Sequence, residues 1–193
     1  MERAGSTHLT LIDRAHVLGE LLGVVNVPSG VWLDEAGLVV RPPEPAWARD
    51  PHYELVETPP DASPERVEAI AQVRQLRIQS EEYVVALRDW VRRGAASPYA
   101  LTALEIERRT GHRSAEAAEA AACFELGQHL QRTGSPQAAV PYFRQAHRLQ
   151  PENWTYKRQA WALSADPGVY DGNWLADIKR VGAADYYPAL ELS

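Results

Sequence analysis

Residues 122–153 read ACFELGQHLQRTGSPQAAVPYFRQAHRLQPEN, and this stretch decides the fold. Leu126 and Gly127 fall in a first helix, where a glycine lets a neighbouring helix approach closely. Gly134 ends that helix, at a position that calls for a residue free to take positive φ. Ser135-Pro136 starts a second helix with an N-cap oxygen followed by a proline at the first helical position. Ala139, Phe143 and Ala146 follow at spacings of four and three, so they share one helix face. Phe143 is the large plug on that face, and the alanines are its small contact points. Pro151 stops the second helix.

This pattern resembles one tetratricopeptide repeat (TPR), a helix–turn–helix unit, over residues 120–153. Cys123 stands where the family has a large aromatic, and Leu130 replaces the usual tyrosine. A single repeat cannot bury its own apolar face, so its neighbours must. WTYKRQAWAL, from Trp154, reads as a capping helix with Trp154 and Trp161 seven apart on one face. Upstream, residues 64–94 give one long helical pattern through Val67, Ile70, Ala71, Val73, Leu76 and Ile78, then Tyr83, Val84, Leu87, Trp90 and Val91. Ser97-Pro98 reads as the start of a further helix ending near Gly111. The TPR resemblance implies a concave groove lined by the first helix, with Phe124, Gln128, Gln131 and Arg132 as partner-binding positions. Phe124 and Gln128 replace the lysine and asparagine with which the family's best-known clamp holds C-terminal carboxylates. Arg132 alone retains a group suited to a carboxylate. Helix-in-groove and extended-peptide binding both stay open.

Composition bounds the alternatives. The 193 residues suit one large or two small domains, and 45% hydrophobic content allows a sizeable core. A net charge of −6, from 20 basic and 26 acidic residues, argues against a general binder of nucleic acid or anionic membrane. There is no apolar run long enough to span a bilayer and no apolar core of a signal peptide near Met1. A single cysteine permits no intramolecular disulfide, which fits a reducing cytoplasm.

The front of the chain is a different kind of text. THLTLI, from Thr7, reads as a short strand, and residues 13–23 (DRAHVLGELLG) read as an amphipathic helix with Val17, Leu18, Leu21 and Leu22 apolar. Residues 30–41 read as a hairpin: two apolar strands around Asp34-Glu35-Ala36-Gly37. The order strand, helix, hairpin over residues 7–41, carried by GVVNVPSG and VWLDEAGLVV, resembles the second half of a thioredoxin-like fold of the TlpA/ResA type. That resemblance implies a cis peptide at Val27-Pro28. Such proteins carry a Cys-x-x-Cys in their first half; this chain has neither, and Cys123 alone cannot supply an attacking and a resolving thiol. A truncated sheet of this type leaves a strand edge to be paired or covered, by the helical part, by a second copy or by another protein.

Residues 42–64 hold seven of the 14 prolines, a density that forbids helix and central strand. Trp47, Tyr53, Leu55 and Val56 mark the segment as an arm laid on a surface rather than a free linker. The ending, residues 166–193, contains Tyr170, Trp174, Tyr186 and Tyr187, with a last short helix over residues 173–181 and an extended Tyr186-Tyr187-Pro188. NWTYKRQAW followed by WLADIKRVGAADYYP resembles an extension found after redoxin-like domains in bacterial proteins.

Each chemically capable residue also has an ordinary structural reading. Cys123 lies among Ala121, Ala122 and Phe124 and reads as a buried structural cysteine, with single-thiol chemistry as the alternative. The histidines, His8, His16, His52, His112, His129 and His147, make no i,i+4 pair with one another or with Cys123; His16 and Glu20 are four apart on one helix, too little alone for a metal site, so no metal is expected. Asp34-Glu35 are turn formers, and Asp13 reads as an N-cap. Lys157 and Arg158 fall between Trp154 and Trp161; the expectation is two packed tryptophans with the charges in water, and the alternative is cation–π stacking as a recognition surface for an acidic or aromatic peptide.

The expected class is therefore α+β: a mainly helical TPR-like bundle (residues 65–165) preceded by a small incomplete thioredoxin-like unit (1–41) and a proline-rich arm (42–64), and followed by an aromatic extension (166–193). The expected function is non-enzymatic protein–protein interaction through a TPR-type groove, with no cofactor. The partner would be another protein, a peptide or a second copy. The alternative is a truncated or degenerate redox-associated protein that acts with a partner's thiols or through Cys123.

Overall fold

The computed structural model describes residues 10–163 and 173–192. The chain is α+β: mostly helical, with one two-stranded antiparallel sheet. In order come α1 (Val17–Leu22), β1 (Ser29–Leu33), β2 (Val39–Pro45), α2 (Pro64–Val73), α3 (Ser80–Arg93), α4 (Ala103–Thr110), α5 (Ala115–Arg132), α6 (Pro136–Leu149), α7 (Trp154–Leu163) and α8 (Trp174–Val181). Side-chain caps set several starts. Ser63, Ser114 and Asn173 each accept a hydrogen bond from the third residue of their helix, and Thr102 forms a reciprocal capping box with Glu105.

The α5–α6 hairpin is the best-packed part. Gly134 turns the chain at φ 83°, and Ser135 N–H closes the turn onto the Leu130 carbonyl at 2.9 Å. Ser135 occupies the N-cap position of α6 but makes no side-chain cap bond, so the start of α6 rests on Pro136 and the turn, not on the expected hydroxyl. Ala139, Phe143 and Ala146 are all buried, as their spacing predicted. A Cβ on Gly127 would lie 2.7 Å from Phe143 Cε1, so only glycine admits that ring without displacing it. Phe124 from α5, with Tyr156 and Ala160 from α7, completes this core.

The second centre is the β hairpin. Asp34 shapes its turn by accepting the Ala36 and Leu38 N–H groups, and Gly37 takes φ 80°. Trp32 stacks on Trp90 of α3 at 5.0 Å and donates its Nε1–H to Tyr83 Oη at 3.1 Å. Arg41 on β2 is fully buried. It donates to Glu44 (2.6 Å), to the Tyr99 carbonyl (2.9 Å) and to the Glu191 carbonyl (2.5 Å), and its guanidinium lies 5.3 Å from the Trp32 ring centroid. Backbone at Leu101 also donates to the Val40 carbonyl, so part of the β2 edge is covered by the helical part.

A third cluster, of Trp154, Ile178, Ala183, Tyr186 and Tyr187, ties α7 to α8 and to the end of the chain. Trp47 packs edge-on against both Tyr53 (5.8 Å) and Tyr187 (5.4 Å), and Arg74 donates to the Val56 carbonyl. The proline-rich segment is thus an arm held against the body.

Several expected boundaries move. Residues 10–12 form no strand; the remainder of the THLTLI reading, like His8, Tyr170 and Ser193, lies outside the described residues. The first helix is six residues rather than eleven, because Asp13 accepts the Val17 and Gly19 N–H groups from a loop while His16, at φ 56°, is the N-cap. β2 runs on through Pro42, Pro43 and Pro45, which a two-stranded sheet permits because each strand has an outer edge needing no donor. The helix expected over residues 64–94 breaks between Val73 and Ser80, where Leu76 and Ile78 turn into the third cluster. The next helix starts after Thr102, not Ser97: the Ser97 hydroxyl donates to Asp89 and accepts the Tyr99 N–H, and the capping box makes the better start. Tyr186 is in the helical region after a short 3-10 turn rather than extended.

Candidate functional site

Residues of α1 and of α5, the first helix of the helical hairpin, line one shared cavity. Phe124 stacks on Tyr156 of α7 at 4.1 Å and 18°, which makes a flat aromatic wall. The His16 ring stands edge-on to Phe124 at 5.5 Å. Glu20, one turn further along α1, accepts from the Tyr156 hydroxyl with one carboxylate oxygen and from Arg113 with the other. Between α1 and α5 is a cavity of about 320 Å³, bounded by these groups and by Gln128. That volume lies at the small end of ligand-binding clefts.

Each group has a definite chemical capacity there. Burial, then the hydrogen bond to Glu20, raises the Tyr156 pKa well above the ordinary phenol, so the hydroxyl stays a donor across the neutral range. Arg113 adds a cation that is half in water. Gln128 is only 3% exposed and brings an amide, both donor and acceptor, to the cavity wall. The cavity wall thus brings together a cation, a hydroxyl donor, a residue with an amide side chain and an aromatic pair.

The segment after α1 is pinned in the same place. Thr155 N–H donates to the Val25 carbonyl at 3.1 Å, Asn26 Nδ2 to the Tyr186 carbonyl at 2.9 Å and the Tyr187 hydroxyl to the Val27 carbonyl at 3.0 Å. The Val27–Pro28 peptide is cis.

Of the four residues placed in the groove from the sequence, the structure brings Phe124 and Gln128 to the cavity and leaves the other two outside its lining. Gln131 donates to the Leu163 carbonyl at 2.7 Å and fastens the end of α7, while Arg132 is exposed. Cys123 is half-buried beside the α5–α6 core rather than sealed in it, and burial with the nearby Glu119 raises its thiol pKa. Lys157 corrects the expectation of solvated charges on α7. It is 2% exposed, its Nζ approaches Asp177 Oδ2 to 2.8 Å as a charge pair whose angle falls short of a hydrogen bond, and it lies 4.5 Å from the Trp154 ring centroid. Arg158 meets the Tyr186 ring instead of a second tryptophan.

Sequence reasoning missed Glu20, Arg113 and Tyr156. They stand 93 and 136 residues apart in the pairs they form, and no local pattern links them. Their one trace was the i,i+4 spacing of His16 and Glu20 on α1. A second grouping also escaped notice: Asp50, His52 and Glu54 each bring a ligand-type atom within 4.8 Å of the others, all exposed on the arm. Among the described residues, no helix is long and apolar enough to cross a membrane. No family model matches the chain, and no curated protein or solved structure matches it either.

Proposed function

We propose that the protein is a non-enzymatic interaction module whose α5–α6 hairpin serves as a tetratricopeptide-type repeat and takes a segment of a partner protein along α5. The observation that carries this reading is the Phe124–Gln128 wall: a residue with a buried amide and a buried aromatic stack lining a cavity, with Arg113 and the Tyr156 hydroxyl beside them. Buried amides and aromatic faces next to a cation are what peptide recognition uses. Against single-thiol redox chemistry stands Cys123 itself, since a raised thiol pKa leaves little thiolate at neutral pH.

The test is capture of partners by the tagged full chain from a lysate of its own source, with Gln128→Ala/Arg113→Ala compared at matched helicity. The expected outcome is stoichiometric capture of one protein, reduced about tenfold or more in the double variant, as loss of central hot-spot contacts predicts. Undiminished capture by the double variant would remove the groove from the interface.

A further inference from the structure

We propose that α1 is a strap occupying the α5 groove in place of the partner, latched by Glu20, and that the partner segment carries a carboxylate that takes Glu20's place on Arg113 and the Tyr156 hydroxyl. The inference rests on the groove reading above and names both its regulation and the chemistry of its ligand.

Three observations support a strap rather than a fixed element. First, α1 has six residues and none of them is fully buried; Gly19, Glu20 and Leu22 are only half-buried, so its apolar hold on the body is slight. Short helices need tertiary burial to persist, and this one has almost none. Second, apolar side chains in and just before α1 are left uncovered: Leu11 (70% exposed) and Ile12 (67%) in the loop leading into it, and Leu21 (75%) on the side of the cavity. An element packed for stability would cover such side chains. Third, what does hold α1 is polar and specific. Glu20 makes both of its contacts to groups of the groove, His16 stands against Phe124, and Asp13 braces the helix start. Arg113 is half-exposed, and an ion pair open to water is weak and exchangeable.

The groups that α1 engages are the same ones that a partner would need: Arg113 and the Tyr156 hydroxyl on Glu20, and Phe124 beside His16. Phe124, buried in part by Phe143 and Tyr156 of the core, and Gln128 are both 3% exposed with α1 in place. Moving α1 away leaves a guanidinium, a phenol donor, an amide and an aromatic face without the carboxylate and imidazole that complement them. A protein segment presenting a carboxylate one helical turn from an aromatic or imidazole ring restores each contact. The strap then lowers the apparent affinity by the fraction of molecules in which it is open.

The experiment uses the full chain and, as probe, a labelled synthetic peptide of residues 10–24 of this chain. Unaltered protein and Glu20→Gln protein are compared by hydrogen exchange and by fluorescence anisotropy. The α1 amides are expected to lose protection in Glu20→Gln. The peptide is expected to bind that variant about tenfold more tightly than the unaltered protein, as a strap closed in about nine molecules of ten would dictate. A peptide that itself carries Glu20→Gln should bind the variant at least about tenfold more weakly, because it lacks the charge-assisted contacts. Equal affinity of the intact peptide for both proteins overturns the strap and leaves the groove reading standing. No binding of either peptide to a variant whose α1 amides exchange freely overturns the groove as a receptor for a carboxylate segment, and the inference with it.

Discussion

The α5–α6 hairpin and the β1–β2 hairpin are both closed by short turns, yet opposite kinds of contact hold them. In the first, one ring fills one gap: Phe143 lies over Gly127 with Ala139 and Ala146 on either side in sequence, all between residues 127 and 146. In the second, one buried guanidinium joins distant pieces, from Glu44 three residues away to Tyr99 and Glu191 far along the chain. Apolar packing depends on how well the available volume is filled, whereas a buried charge depends on every one of its acceptors. The helical hairpin should therefore respond to volume and the sheet to polar pairing.

The largest expected effect breaks the first half. Phe143→Ala removes a ring that is 1% exposed and leaves a cavity facing a glycine, which has no side chain to refill it. The expected loss is about 4 kcal/mol in urea unfolding at pH 7, within the usual range for buried phenylalanine. A loss below about 1 kcal/mol would mean that the α5–α6 interface collapses freely and is not the tight core described. Arg41→Met comes next. It keeps much of the stem's volume beside Trp32 but leaves the Glu44 carboxylate and two carbonyls without their donor, for an expected loss of about 3 kcal/mol. The distinguishing readout is local: amide protection should fall at residues 190–192 before it falls in α5. If Arg41→Met instead proved neutral, the sheet would be held by Trp32 packing alone, and the contrast between the two halves would disappear.

The same contrast explains what could be read in advance. The helical hairpin was legible because its determinants are local: Gly127, Gly134, Pro136 and the alternation of Ala139, Phe143 and Ala146 state their roles by spacing, and the structure puts each in its place. The β hairpin was legible for the same reason, through Asp34 and Gly37. What failed was whatever depended on distance. Ser97 looked like a helix start until Asp89 claimed its hydroxyl. Leu76 and Ile78 looked like two more turns of one helix until the third cluster drew them out of register. Lys157 looked solvated because its acceptor, Asp177, lies two helices' worth of chain away. In the candidate site, Phe124 and Gln128 came from the repeat pattern, while Glu20, Arg113 and Tyr156 came only from the fold.

The smallest effect sharpens the comparison by asking how apolar the helical half is. His147 lies on α6 toward α7, and burial, opposed by a hydrogen bond to the Tyr156 backbone, lowers its pKa from 6.5 to about 4. A histidine whose folded pKa is depressed is favoured neutral in the folded state. The unfolded chain then binds more protons between pH 6.5 and about 4, so this group's contribution is full above 6.5 and is lost as pH falls through that window. The ceiling from a shift of this size is about 3 kcal/mol, and partial solvent access brings the expected value nearer to about 2 kcal/mol. Urea unfolding of the unaltered protein and of His147→Gln, each at pH 7 and pH 4.5, isolates the effect, because carboxylate titration is common to both. The unaltered protein should lose more stability between those pH values than the variant does, by most of that amount. Parallel losses in the two proteins would place the imidazole in water, and would make the seam between α6 and α7 as polar as the clamp around Arg41.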